Sequence, residues 1–199
     1  IIKFRQEWQP VGEQRAREMG LDRHKAVTLA SIIEKETGAK AERELVSSVF
    51  HNRRRLAMPL QTDPTTCYAI AEVEGWPEGK KCNITSTNKM IQNPYNTYCL
   101  TNCGRPRGET FPPGPIASPG RASLRAAVYP AQSKYLFFVS KNDGSHFFSV
   151  PSGALAVFLS AHVASPRVHC PLAPHTAPVE QSWSLVHLVL HALALASQT

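Results

Sequence analysis

Leu29-Ala30-Ser31-Ile32-Ile33-Glu34-Lys35-Glu36-Thr37-Gly38 passes from apolar to charged residues within a single helical turn. Upstream, Ala26, Leu29, Ala30 and Ile33 keep the spacing of one helix face. Asp22 is a good N-cap, and Leu21 before it can act as a hydrophobic staple. A helix from Asp22 to about Thr37, stopped by Gly38, is therefore expected. Glu34 and Glu36 are two apart and cannot share one face. Both fall at the edges of the apolar stripe, Glu36 beside Leu29, Ile32 and Ile33 and Glu34 nearer Val27 and Ala30. The bulkier surroundings desolvate Glu36 more, and the negative end of the helix dipole disfavours an anion there. Both effects favour a protonated carboxyl; the plainer reading is two ordinary surface carboxylates.

Working outward, Pro10 and Gly20 bracket a first helix over residues 9 to 20. A third helix spans about Lys40 to Leu56, with Leu45, Val46, Val49 and Phe50 as its buried stripe. Arg53, Arg54 and Arg55 close it and read as a solvated basic face that suits the helix dipole. From Leu60 to Phe111 the periodicity fades among Pro, Gly, Asn and Thr. Loops with short strands, and one helical turn near Thr85 to Met90, are expected there. A Pro112-Pro113-Gly114-Pro115 turn precedes a short helix from Arg121 to Ala127. Tyr135 to Val139 reads as a strand, Asn142-Asp143-Gly144 as a hairpin turn, and His146 to Ser149 as the return strand.

After Ser149 the composition changes. Between Pro151 and Thr199 only Arg167 and Glu180 are charged, and five histidines appear: His162, His169, His175, His187 and His191. His187 and His191 stand i, i+4, but no carboxylate or thiol accompanies them as a metal ligand. Residues 1–149 therefore read as one domain, and residues 150–199 as an atypical apolar tail of out-of-frame or disordered character.

The chain has 199 residues and a formal charge of +7, enough length for one domain with a real core. A basic surface suits an acidic polymer. No RNA-binding aromatic signature and no zinc finger is present, which disfavours nucleic acid. Ile1-Ile2-Lys3-Phe4-Arg5 is no leader and reads as the interior of a longer chain, and no run is apolar enough to span a membrane. Cys67, Cys82, Cys99 and Cys103 cluster in the loop-rich stretch, apart from Cys170. Two disulfides, and hence an oxidising compartment, are expected. Of three connectivities, local pairing of Cys67 with Cys82 and Cys99 with Cys103 is favoured. A zinc site, without any C-x-x-C pair, and free buried thiols are the rivals.

For chemistry, Glu36 is the candidate proton donor and Asp63 the second carboxylate, with an Asx-type turn as the structural alternative for Asp63. Tyr95, Asn96 and Tyr98 offer aromatic faces and an amide for a sugar, or simply pack beneath a loop. Asn52 either binds a sugar or caps its helix. Together these groups suggest acid-catalysed cleavage of a glycan.

Seven strings stand in order: Ser31 to Thr37 (SIIEKET), Val49 to Arg53 (VFHNR), Leu60 to Thr65 (LQTDPT), Pro94 to Tyr98 (PYNTY), Pro112 to Ala117 (PPGPIA), Ser118 to Gly120 (SPG) and Tyr135 to Val139 (YLFFV). In these the chain resembles the MltG (YceG-like) endolytic murein transglycosylases, from about Trp8 to Ser149. The resemblance implies an α+β fold: a helical scaffold carrying the catalytic Glu and a small β-rich, loop-rich region, with a lysozyme-like active-site arrangement. It implies cleavage of the MurNAc–GlcNAc bond inside nascent peptidoglycan strands to 1,6-anhydroMurNAc ends, with Glu36 catalytic. Substrate binding would fall to Glu34, Asn52, Gln61, Thr62, Asp63, Tyr95, Asn96, Tyr98 and Ser118. No metal or cofactor is implied, and no Schiff-base lysine context or phosphate cup is evident. It further implies an inner-membrane protein facing the periplasm or cell exterior, anchored by an upstream segment, with penicillin-binding proteins or other cell-wall synthases as partners. Cys99 to Thr110 looks like an insertion, and the apolar tail replaces a charged helix of the family. A non-catalytic peptidoglycan-binding module and a hydrolytic muramidase are the alternative readings.

Overall fold

In the computed structural model, residues 2–8, 12–75, 82, 84–141 and 143–150 are described. The elements run α1 (Ile2–Trp8), α2 (Glu13–Glu18), α3 (Arg23–Glu36), α4 (Arg43–Arg55), α5 (Asp63–Glu74), α6 (Arg121–Val128), β1 (Phe137–Ser140) and β2 (His146–Ser149). Short 3-10 turns occupy Lys40–Glu42 and Asn88–Met90. The fold is α+β, with one antiparallel hairpin as its sheet among the described residues. Phe138 pairs with Phe148 and Ser140 with His146 across it.

The centre of the core is α3. Asp22 caps it by accepting a hydrogen bond from the Lys25 amide at 2.7 Å. Every residue from Thr28 to Ile33 is buried, so the helix is enclosed on all sides rather than along one stripe. It packs against α6, α4, α5 and α2. Full burial of Leu29, Ile32 and Ile33 contributes roughly 1.5–3 kcal/mol apiece. The helix ends because Thr37 turns extended, not because Gly38 enters a left-handed conformation: Gly38 lacks positive φ, and the Thr37 hydroxyl accepts from the Ala39 amide instead.

Side chains of two neighbouring helices take up the carbonyls at the end of α6. Ser47 donates to the Ala126 carbonyl at 2.6 Å, His51 Nε2 to that of Ala127 at 2.8 Å, and Arg15 Nε to that of Val128 at 3.2 Å. These are the groups that a helix C-terminus leaves unpaired. Burial lowers the His51 pKa and keeps the ring neutral, so Nε2 carries the proton in that bond. Phe50 of α4 meets Phe138 edge-on at 5.8 Å, and Glu42 holds His146 at 2.7 Å, which fixes the hairpin to the start of α4.

Three expectations are corrected. Residues 60 to 111 contain no strand among the described residues; they hold the twelve-residue helix α5. Asp63 is accordingly the first residue of a helix rather than a turn residue, and Pro64 fits in its first turn, where a proline lacks only an N–H that the helix does not use. Arg53 is buried at 7 % exposure instead of solvated. Its Nε donates to the Leu136 carbonyl and its Nη1 to the Leu60 carbonyl, both at 2.7 Å. The first expected helix appears only as α2, while Pro10 and the apolar tail lie outside the described residues. No described helix is long and apolar enough to cross a membrane.

Candidate active site

Glu36 is the last residue of α3, where the helix meets the start of α5. Burial is the main reason its carboxyl is raised from the usual value to about 7. The negative charge of Asp63 raises it further, while the Thr62 hydroxyl and the Arg53 guanidinium pull the other way. The side chain as a whole keeps partial solvent access, but protein atoms surround its carboxyl. The Thr62 Oγ1 is buried, faces this carboxyl, and completes no full hydrogen bond with any group.

Asp63, by contrast, is exposed. The Tyr98 hydroxyl donates to its Oδ1 at 2.6 Å, and Lys89 stands 3.6 Å from the same oxygen. Desolvation and the neighbouring Asp63 raise the Tyr98 pKa strongly, so the phenol keeps its proton and remains the donor. The Lys89 ammonium also lies 4.5 Å from the centre of the Tyr98 ring.

A threonine clasp fixes this geometry. The Thr62 amide donates to Thr97 Oγ1 at 2.9 Å, and the Thr65 and Thr97 hydroxyls are 2.7 Å apart. Thr65 also donates to the Thr62 carbonyl at 2.7 Å. Arg105 reinforces the loop by donating to the carbonyls of Pro94, Asn96 and Cys99 at 2.7, 2.9 and 2.7 Å. Gln61, just before the clasp, adopts a left-handed φ of 51°, a conformation that a side chain disfavours and that the surrounding bonds must hold.

Several expected sugar-binding groups belong to the scaffold. The Asn96 side chain is fully buried; its amide donates to the carbonyls of Lys89 and Ile91, and its oxygen accepts from Thr66 and the Tyr98 amide. The Asn52 amide donates to the carbonyls of Ser133 and Tyr135, and its oxygen accepts from Arg55. These groups are occupied by the chain itself, against the expectation that they face a ligand. Glu34 is tied to the start of α6, accepting from the Ser123 hydroxyl at 2.6 Å and the Gly120 amide at 3.3 Å, with Arg43 3.8 Å away. The Ser123 bond, the Gly120 amide and Arg43 hold its pKa below the usual value. Tyr95 packs against Tyr68 with ring centres 4.5 Å apart, and Ser118 is exposed. Arg53 escaped the sequence reading, although its place on the Val46, Val49, Phe50 stripe was a signal of burial.

A cleft of about 380 Å³ is lined by Lys35, the residue before the acid, and by Asp63, Pro64, Tyr68, Ile84 and Ile116, together with Cys67 and Cys82. The Sγ atoms of Cys67 and Cys82 are adjacent, as are those of Cys99 and Cys103, the pairing expected from proximity in sequence. No cluster of potential metal ligands occurs among the described residues.

Fold and site together define a small α+β domain in which the end of a buried helix presents one high-pKa carboxyl beside an exposed aspartate at the rim of a cleft. The chain belongs to the YceG-like family, whose model matches residues 1–152. An endolytic murein transglycosylase of Bacillus subtilis is 40% identical over 126 residues, covering 63% of this chain and 31% of the relative. The endolytic murein transglycosylase of Streptococcus pneumoniae is 30% identical over 117 residues, covering 57% of this chain and 19% of the relative. Among solved structures, a yceG-like protein of Listeria monocytogenes superposes with a TM-score of 0.56 at 35% identity, covering 71% of this chain and 40% of that one. The chain thus spans about a third, or less, of the curated relatives it matches.

Proposed function

We propose that residues 1–149 form the catalytic domain of an endolytic lytic transglycosylase that cleaves the MurNAc–GlcNAc bond within nascent peptidoglycan strands. The observation that carries this reading is Glu36, a carboxyl raised to about 7 by burial beside Asp63. A group with that pKa holds a useful fraction of its proton at neutral pH and can also take one back.

In the first step the protonated Glu36 carboxyl donates to the glycosidic oxygen. The bond from that oxygen to the muramyl C1 breaks, and the GlcNAc 4-hydroxyl departs. The negative carboxylate of Asp63, aimed by Tyr98, stabilises the positive charge developing at C1. The Glu36 carboxylate then takes the proton of the muramyl C6 hydroxyl as that oxygen bonds to C1. The product is a 1,6-anhydroMurNAc end; no water is consumed, and Glu36 is protonated again. The intramolecular nucleophile has a high effective molarity, so no second activated nucleophile is required. The partly exposed Gln61, Tyr98 and Tyr95 are the site's substrate-contacting groups in this reading, while the buried Thr62 faces the acid from the protein side.

The same reading assigns the domain to the outer face of the bacterial inner membrane, held by an anchor elsewhere in the full protein, with penicillin-binding proteins or other synthases as partners. An oxidising compartment agrees with the two pairs of adjacent sulfurs. Residues 150–199 are an atypical tail without a part in the chemistry.

The test is mass spectrometry of purified glycan strands incubated with the chain and with its Glu36→Gln variant. Anhydromuramyl ends that vanish in the variant are expected. Reducing ends would replace the transglycosylase with a hydrolytic muramidase. Binding without cleavage by the folded protein would favour a non-catalytic glycan-binding module.

A further inference from the structure

Lys35, which precedes the acid, and Asp63, whose charge the acid feels, line a cleft that the proton chemistry above does not use. Its lining is mixed, with apolar surface available from Pro64, Tyr68, Ile84, Ile116 and the Cys67–Cys82 pair, and its volume of about 380 Å³ lies in the range of small-ligand sites. Two charged residues line it, Lys35 and Asp63. Asp63 is engaged by Tyr98 and Lys89. The nearby cations Arg43 and Arg53 are likewise engaged, with Glu34 and with the carbonyls of Leu60 and Leu136. Lys35 is exposed and makes no close ion pair among the described residues, its charge acting on Glu34 only from a distance. It immediately precedes Glu36 on α3, and neighbours on a helix are about 100° apart. The lysine therefore stands next to the acid along the helix and lines the cleft that Asp63 also borders.

We propose that this cleft is a subsite for the substituent on C3 of the muramyl unit, with Lys35 recognising a carboxylate that this substituent carries. The inference rests on the transglycosylase reading above. The muramyl ring supplies C1 to the scissile bond, and its lactyl arm leaves from C3 on the same ring, so an acid at C1 and a cation one helical step away match the two ends of one sugar. The apolar part of the lining suits the methyl groups of the lactyl and alanyl units. The carboxylate has two sources: the stem peptide, or the lactyl acid exposed once the peptide has been removed. Neither is present on the GlcNAc unit, so the cleft also sets which sugar lies on the C1 side of the cut.

The experiment compares three strand preparations of equal length: peptide-bearing, peptide-free with the lactyl acid exposed, and peptide-free with that acid converted to a neutral amide. Each is given to the wild-type chain and to Lys35→Ala and Lys35→Arg. The kcat/KM on a charged strand, relative to the neutral strand, falls about tenfold or more in Lys35→Ala, as loss of a charge-assisted hydrogen bond requires. The change lies in KM, and Lys35→Arg restores it. A fall confined to one charged strand identifies which source supplies the carboxylate. Unchanged ratios on both charged strands overturn the proposal. Should the wild-type chain cleave none of the three, the transglycosylase reading fails by itself. The affinities of Glu36→Gln and of Glu36→Gln/Lys35→Ala for the same strands then test the subsite, and equal charged-to-neutral affinity ratios in the two proteins overturn it.

Discussion

Two carboxylates on the last turn of α3 meet opposite surroundings. On the α6 side, Glu34 reaches a helix start, where a hydroxyl, an amide and a guanidinium hold it ionised. On the α5 side, Glu36 meets a buried hydroxyl without a full hydrogen bond and the negative charge of Asp63, and is pushed up to about 7. A separation of two residues on one helix thus yields a structural anion and an acid. What differs is the partner supplied by the neighbouring element: polar donors in one case, desolvation and like charge in the other.

The comparison can be broken at several points, the first carrying the largest effect. Glu36→Gln removes the proton donor and lowers kcat by roughly 100- to 10,000-fold, the usual contribution of general acid–base catalysis; Glu34→Gln leaves kcat within a few-fold. Steady-state cleavage assays of both variants check this. Arg53→Met comes next. It leaves the Leu60 and Leu136 carbonyls without their buried donor, and chemical denaturation is expected to show a loss of about 3 kcal/mol.

A pH dependence follows, with a definite sign. The folded pKa of Glu36 lies above the ordinary 4.5, so the native state binds the proton more tightly than the unfolded chain does. Stability from this residue falls as pH rises between about 4.5 and about 7. Glu36→Gln is therefore expected to gain on the order of 2–3 kcal/mol over the wild type at pH 8 relative to pH 4. Glu34 behaves oppositely: its pKa is depressed, so its contribution is complete above the unfolded value and fades as pH falls through the folded one. For this half-exposed group the smallest effect is expected, a loss of about 1 kcal/mol in Glu34→Gln at pH 7 that shrinks toward acid pH. Paired urea titrations across pH measure both.

The helices that announce themselves through large apolar residues were legible in the sequence. α3 and α4 follow from Leu29, Ile33, Val46, Val49 and Phe50, and the hairpin from Asn142-Asp143-Gly144 between aromatic runs. α5 was not legible, because its buried residues are Thr65, Thr66, Ala69 and Ala71, too small or too polar to mark a face, and its proline reads as a breaker until it is placed in the first turn. At the site, the wheel around Ile32 and Ile33 separated Glu36 from Glu34. The commitment of Asn52 and Asn96 to backbone carbonyls depends on segments far along the chain, Ser133 and Tyr135 in one case and Lys89 and Ile91 in the other. No local pattern encodes such partners. The burial of Arg53 was encoded by its helical position, but three arginines in a row obscured it.

The most direct measurement is a carbon-13 NMR titration of the side-chain carboxyls of Glu34 and Glu36 in the folded protein. Glu36 should titrate near 7 and Glu34 below 4.5. A Glu36 midpoint at or below that of Glu34 would contradict its assignment as the proton donor.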